Sequence, residues 1–180
     1  MRIVAGERKG TRLAAPAGRG SRPTSDRVRE SLFAILGDVS GTDVLDPFAG
    51  SGALGFEALS RGAERVAFCD VDRAALAAVR ENARRLRYAD RCTIRRQDAR
   101  RRLASDRAAG VHYGLVLLDP PYAMLSALST QLEADLPELL APGGLAVLER
   151  PAAEAAPAPR LEVAAERAYG GTAITVWRHA

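Results

Sequence analysis

Leu115-Val116-Leu117-Leu118-Asp119-Pro120-Pro121-Tyr122 is the stretch from which the fold can be read. Its apolar run is short and has no helical period, so it reads as a strand covered on both faces. The two prolines end that strand, because neither can donate to a ladder. A carboxylate and an aromatic ring are thereby held on a stiff turn at the carboxyl edge of a sheet, where open α/β folds bind their ligands. Taken alone, the same residues also fit an ordinary strand-ending turn. The rest of the chain has to decide.

Working outward, strand and helix patterns alternate five times. Asp43–Phe48, Arg65–Asp70 and Cys92–Gln97 read as strands, followed by helical patterns to about Arg61, over 73–87 and over 99–106. After the central strand come an amphipathic helix over 125–140, with Pro137 as a restart or kink, and a strand over Leu145–Glu149. An Ala/Pro-rich loop then leads to two strands, Leu161–Ala168 and Thr172–Trp177, around Gly170-Gly171. This order implies an α/β, doubly wound, Rossmann-like fold: a mostly parallel seven-stranded sheet closed by an antiparallel hairpin. At the front, residues 2–5 and 11–14 read as a small hairpin and 15–23 as a basic linker. A helix begins at Thr24, capped by Thr24 or Ser25, with Val28, Leu32, Phe33, Ile35 and Leu36 as its apolar face and Arg27 and Arg29 off it. The expected division is an extension over 1–37 and a main α/β domain over 38–180.

Composition narrows the class. The chain has 180 residues, 47% of them hydrophobic, and no apolar run approaches the length of a membrane span. The N-terminus has no signal-peptide pattern, so a cytoplasmic protein is expected. Cys69 and Cys92 make no disulfide framework, and His112 and His179 lie near no cysteine pair, so no metal site is expected. The net charge of +4 is unevenly spread: residues 1–30 carry +5 and residues 84–107 carry +7, leaving −8 for the rest. Two basic patches on an acidic body suggest a polyanionic partner such as nucleic acid. Only Lys9 among the 26 basic residues is a lysine, so a general bias toward arginine also accounts for part of the pattern.

Gly50-Ser51-Gly52-Ala53-Leu54-Gly55, with Asp70 downstream, matches the dinucleotide fingerprint. What precedes the turn argues for a different ligand. Asp46 ends the first strand, giving Asp46-x-Phe48-x-Gly50-x-Gly52, and a carboxylate there would repel a pyrophosphate. It suits an ammonium, and S-adenosylmethionine carries one beside a carboxylate that can meet the helix N-terminus. Asp70, with Val71 after it, is placed to accept from ribose hydroxyls, with Asp72 nearby as an alternative. Asp98 is placed to accept from the adenine amino group, and Ala99 offers a backbone N–H. Solubilising caps explain any one of these acids but strain to cover all of them together with Asp119.

Asp46-Pro47-Phe48-Ala49-Gly50-Ser51-Gly52 followed by Asp119-Pro120-Pro121-Tyr122 resembles class I S-adenosylmethionine-dependent methyltransferases that act on amines. Arg22-Pro23-Thr24-Ser25-Asp26-Arg27-Val28-Arg29-Glu30-Ser31-Leu32-Phe33, with Gly55-Phe56-Glu57-Ala58-Leu59-Ser60-Arg61-Gly62-Ala63, is similar to the RsmD family. That resemblance covers nearly the whole chain. It implies methylation of the exocyclic N2 of a guanine in small-subunit 16S ribosomal RNA. The small size and basic patches suggest that ribosomal proteins help present the target, so a small-subunit particle or assembly intermediate is the expected partner and a monomer the expected state. Asp119 and the Pro120 carbonyl would accept the two amine N–H groups, Pro121 would stiffen the turn, and Tyr122 would stack on the extruded base. Arg22, Arg27 and Arg29 are the candidates for gripping RNA phosphates, ahead of the 84–107 arginines. Three other readings are open: a DNA adenine-N6 or cytosine-N4 methyltransferase, a non-catalytic assembly factor that binds S-adenosylmethionine or RNA, and a nicotinamide oxidoreductase.

Overall fold

The computed structural model describes residues 1–17 and 26–180. Its elements in chain order are α1 (Asp26–Leu36), β1 (Asp43–Asp46), α2 (Ala53–Ser60), β2 (Arg65–Asp70), α3 (Arg73–Leu86), β3 (Cys92–Arg96), α4 (Ala99–Ala108), β4 (Tyr113–Leu118), α5 (Leu125–Leu139), β5 (Leu140–Pro151), β6 (Glu162–Tyr169) and β7 (Thr172–Arg178). The seven strands form one sheet in the order β3-β2-β1-β4-β5-β7-β6. Strands β1 to β5 run parallel, while β7 runs antiparallel to both β5 and β6. The order reverses between β1 and β4, so a crevice opens there above the carboxyl ends of the strands. The Asp119 turn lies on one side of that crevice and the glycine turn on the other.

Alternating side chains divide the core in two. Val44, Leu115, Leu117, Val147, Ile174 and Val176 face one layer, with Phe33, Phe56, Phe68 and Val79. Leu45, Val116, Leu118, Leu148 and Trp177 face the other, against Leu128, Leu132 and Leu136 of α5. Ile3, Leu13, Leu32, Phe33 and Leu36 belong to the first layer, so residues of the 1–37 segment share the main core.

Several boundaries differ from the sequence reading. The front hairpin is reduced to one antiparallel bridge, Arg2 with Arg12, because its backbone bonds to α2 and α3 in place of a longer ladder. Strand β5 begins at Leu140, and its pairing with β4 jumps from Tyr113–Leu140 to Leu115–Leu145, so Pro142-Gly143-Gly144 bulges out within the strand. Pro137 lies inside α5, which runs through it to Leu139. Thr24 and Ser25, expected as helix caps, lie outside the described residues.

Candidate active site

The glycine turn follows β1 and opens α2. Gly50 and Gly52 have positive φ, 53° and 81°. A Cβ on Gly52 would lie 2.5 Å from the Phe56 ring, and one on Gly55 would lie 2.3 Å from the Phe68 ring. Side chains at these positions would lift α2 off β2 and break the turn. Gly52 caps α2 without a side-chain bond, leaving backbone N–H groups at the crevice.

The acids at the strand ends fall into two groups. On the β2–β3 side, Asp70 accepts from Gly50 N and Asp72 N, both at 2.9 Å, and so ties the glycine turn to the end of β2. Asp72 caps α3 through Ala74 N at 2.8 Å. Asp98 caps α4, its Oδ1 accepting from Arg100 N at 3.0 Å and Arg101 N at 3.3 Å. Ala99 is buried behind it, and Val71, next to Asp70 in the chain, stands 57% exposed.

On the β1–β4–β5 side the acids crowd each other. Asp46 is 2% exposed beneath the glycine turn, and its Oδ2 accepts from Gly55 N at 3.3 Å. Burial pushes its carboxyl up to about 7, and the charge of Asp70 adds to the rise. Asp119 is pushed up to about 8, first by burial, then by the charges of Glu149 and Asp46. Glu149 was not among the residues singled out from sequence. The available signal was an acid ending the apolar strand Leu145–Leu148, next in the sheet to the strand that ends at Asp119. Among the described residues, no group of three or more His, Cys, Asp or Glu side chains is arranged to hold a metal ion.

After Asp119, Pro120 is buried and Pro121 exposed, with φ −52° and ψ 130° at Pro121. Tyr122 is 41% exposed, and its hydroxyl is 2.9 Å from the Thr172 hydroxyl at the start of β7. The ring therefore stands at the rim of the crevice, anchored at its tip. The neighbouring Tyr169 hydroxyl lies 2.5 Å from the Ser31 hydroxyl of α1. These two contacts bring α1 and the β6–β7 turn to the same edge as the Asp119 turn.

Of the arginines expected to grip RNA, Arg22 lies outside the described residues. Arg27 is exposed on α1. Arg29 corrects the sequence reading: it is fully buried, donating to the Arg2 carbonyl at 2.6 Å and Asp26 Oδ1 at 2.8 Å, with Glu57 3.8 Å away. Arg29 falls on the inward stripe with Leu32, Phe33 and Leu36, so helical period overrides its charge. Glu57, itself fully buried, also accepts from Val4 N, Ala5 N and Arg61 Nε at 2.8, 3.0 and 2.7 Å. The Arg29–Glu57 cluster thus fixes the front segment onto α2. Asn82 does the same from α3, bridging the Ala14 backbone to the Ser51 carbonyl in the glycine turn.

The 84–107 arginines are largely engaged within the protein. Arg84 and Arg85 pair with Glu81, Arg91 donates to the Ala63 and Glu64 carbonyls, Arg96 to the Val71 carbonyl, and Arg107 pairs with Asp135. Arg102 is buried against Asp106 and Tyr113.

A family model described as Conserved hypothetical protein 95 matches residues 1–178. The Ribosomal RNA small subunit methyltransferase D of Escherichia coli is 40% identical over 123 residues, 68% of this chain and 60% of the relative. The chain belongs to the RsmD family. A second relative, the Putative rRNA methyltransferase YlbH of Bacillus subtilis, is 41% identical over 136 residues, 74% of each chain. The solved structure of the putative methyltransferase yhhF from Escherichia coli superposes with a TM-score of 0.83 at 32% identity, covering 99% of this chain and 97% of that one.

Proposed function

We propose that the protein transfers a methyl group from S-adenosylmethionine to the exocyclic N2 of a guanine in 16S ribosomal RNA. The observation that carries this reading is the Asp119-Pro120-Pro121-Tyr122 turn beside the glycine turn at the crevice where strand order reverses. The residues fit S-adenosylmethionine by their chemistry: uncapped N–H groups at the start of α2 for a carboxylate, Asp46 for an ammonium, Asp70 for ribose hydroxyls, Val71 for an apolar ring face and Asp98 with Ala99 for an adenine edge. Bound there, S-adenosylmethionine supplies an electrophilic methyl on a positively charged sulfur.

The chain's own residues orient the amine. A guanine N2 lone pair is delocalised into the ring and attacks poorly until the nitrogen is pyramidal. Asp119 accepts one N–H and the Pro120 carbonyl the other, which localises the lone pair along the line of attack. The charge that develops on nitrogen is met by the Asp119 carboxylate, and the methylated ammonium then loses its surplus proton to water. Tyr122 stacks on the extruded base, its ring held by Thr172. Pro120 and Pro121 fix the turn, so little entropy is lost in holding this geometry. Arg27, exposed on α1 at the same edge, and Arg22 contact phosphates, while Arg29 is a structural residue. The working substrate is a small-subunit particle or assembly intermediate, and the enzyme acts as a cytoplasmic monomer.

The test is transfer of label from S-adenosylmethionine to free 16S RNA, to small subunits or their assembly intermediates, and to duplex DNA, with digestion to nucleosides. Label in N2-methylguanosine from a ribosomal sample is the expected result. Label in N6-methyladenine or N4-methylcytosine of the DNA sample would replace this reading with the DNA one.

A further inference from the structure

We propose that Glu149 is the residue that selects guanine, accepting the N1–H of the base while Asp119 accepts from its N2 amine. This rests on the reaction proposed above and adds the determinant of base identity.

Strands β4 and β5 are parallel and pair Leu115 with Leu145 through to Leu118 with Leu148. The next step sets Asp119 beside Glu149, at the interstrand spacing of about 4.8 Å. Leu117 and Val147, two residues earlier on these strands, lie in the same core layer, so Asp119 and Glu149 emerge on that one face of the sheet. Glu149 is close enough for its charge to act on Asp119. Two acceptors thus stand side by side at the carboxyl edge of β4 and β5, both half-buried.

The Watson–Crick edges of the bases discriminate between possible occupants. Guanine presents two neighbouring donors, N1–H and the N2 amine, which match two neighbouring carboxylates. Adenine and cytosine place a lone pair (N1 or N3) next to their exocyclic amine. That lone pair would face Glu149 and repel it, a penalty against the wrong base as well as a bond to the right one. An Asp-Pro-Pro-Tyr turn alone serves any planar amine. The added acid on β5 makes the site one for guanine.

The test uses RNA carrying guanine, 2-aminopurine or 2,6-diaminopurine at the nucleotide that the wild-type protein methylates, presented in whichever form the wild type accepts. Both analogues keep the 2-amino group and lack N1–H. The wild type should favour guanine over 2-aminopurine by about 100-fold or more in kcat/KM, since sites that bond a substrate N–H reject analogues lacking it. In Glu149→Ala that preference should shrink by at least about tenfold. In Glu149→Gln, whose amide can donate to a ring nitrogen, 2,6-diaminopurine should gain on guanine. Each preference is measured with one enzyme preparation, so partial misfolding cancels. An unchanged preference in both variants would overturn the role of Glu149. Failure of the wild type to methylate guanine N2 would instead overturn the reaction itself.

Discussion

The two halves of the sheet edge use the same residue type in opposite ways. On the β2–β3 side, Asp70 and Asp98 have their carboxylates held by backbone N–H groups. These acids hold the glycine turn and the start of α4 in place, and have oxygen lone pairs left for neutral hydroxyls and amines. On the β1–β4–β5 side, Asp46, Asp119 and Glu149 are crowded, with Asp46 and Asp119 pushed up to about 7 and 8. Asp46 and Asp119 therefore both resist ionising. One half of the edge therefore holds shape, and on the proposed reaction the other half is the one that meets positive charge and donors.

The sharpest way to break this contrast is Asp119→Ala. Methyl transfer should fall by about 100–1,000-fold in kcat/KM, the usual cost of losing one acceptor aimed at developing charge. Affinity for the methyl donor, measured by calorimetry, should stay within a few-fold. Asp70→Ala should do the reverse, raising KM for the donor by about tenfold through lost bonds to a charged group, with kcat at saturation close to the wild type. If both variants lose kcat alone, the two halves do not differ in role.

Protonation gives a third test. A carboxyl whose folded value is raised stabilises the fold fully below its ordinary range and loses that contribution as pH rises through the folded value. The contribution of Asp46 and Asp119 to stability should therefore fall between about pH 4 and pH 8. Asp119→Asn should flatten part of that fall and melt higher than the wild type at pH 8.5, by roughly 1–2 kcal/mol or a few degrees. Asp46 keeps the remaining slope. The smallest effect belongs to Tyr122→Phe, which loses only the Thr172 bond and should keep activity within about threefold. Tyr122→Ala loses the stacking surface as well, worth about 1–3 kcal/mol.

Much of this layout was legible from sequence because the strands carry their own punctuation. Leu115–Leu118 before two prolines, and Asp46 before a glycine turn, gave strand ends, acids and crevice together. Arg29 was misread because its charge was weighed above its spacing, although positions 29, 32, 33 and 36 make one helical stripe. Glu57 is hidden for a related reason: α2 is buried on all sides, so no polar face marks an acid that binds the front segment. Glu149 lacked a motif, and only the register of β5 against β4 brings it beside Asp119. Strand pairing is a long-range fact, and local pattern does not carry it.

The most direct measurement compares ribosomal RNA nucleosides by mass spectrometry from cells lacking this chain, cells with it restored, and cells given Asp119→Ala. One N2-methylguanosine in 16S RNA should be lost with the chain, regained with the wild type and absent with the variant. An identical nucleoside profile in all three would contradict the proposed reaction, and recovery of the modification by Asp119→Ala would contradict the role given to the β4 acid.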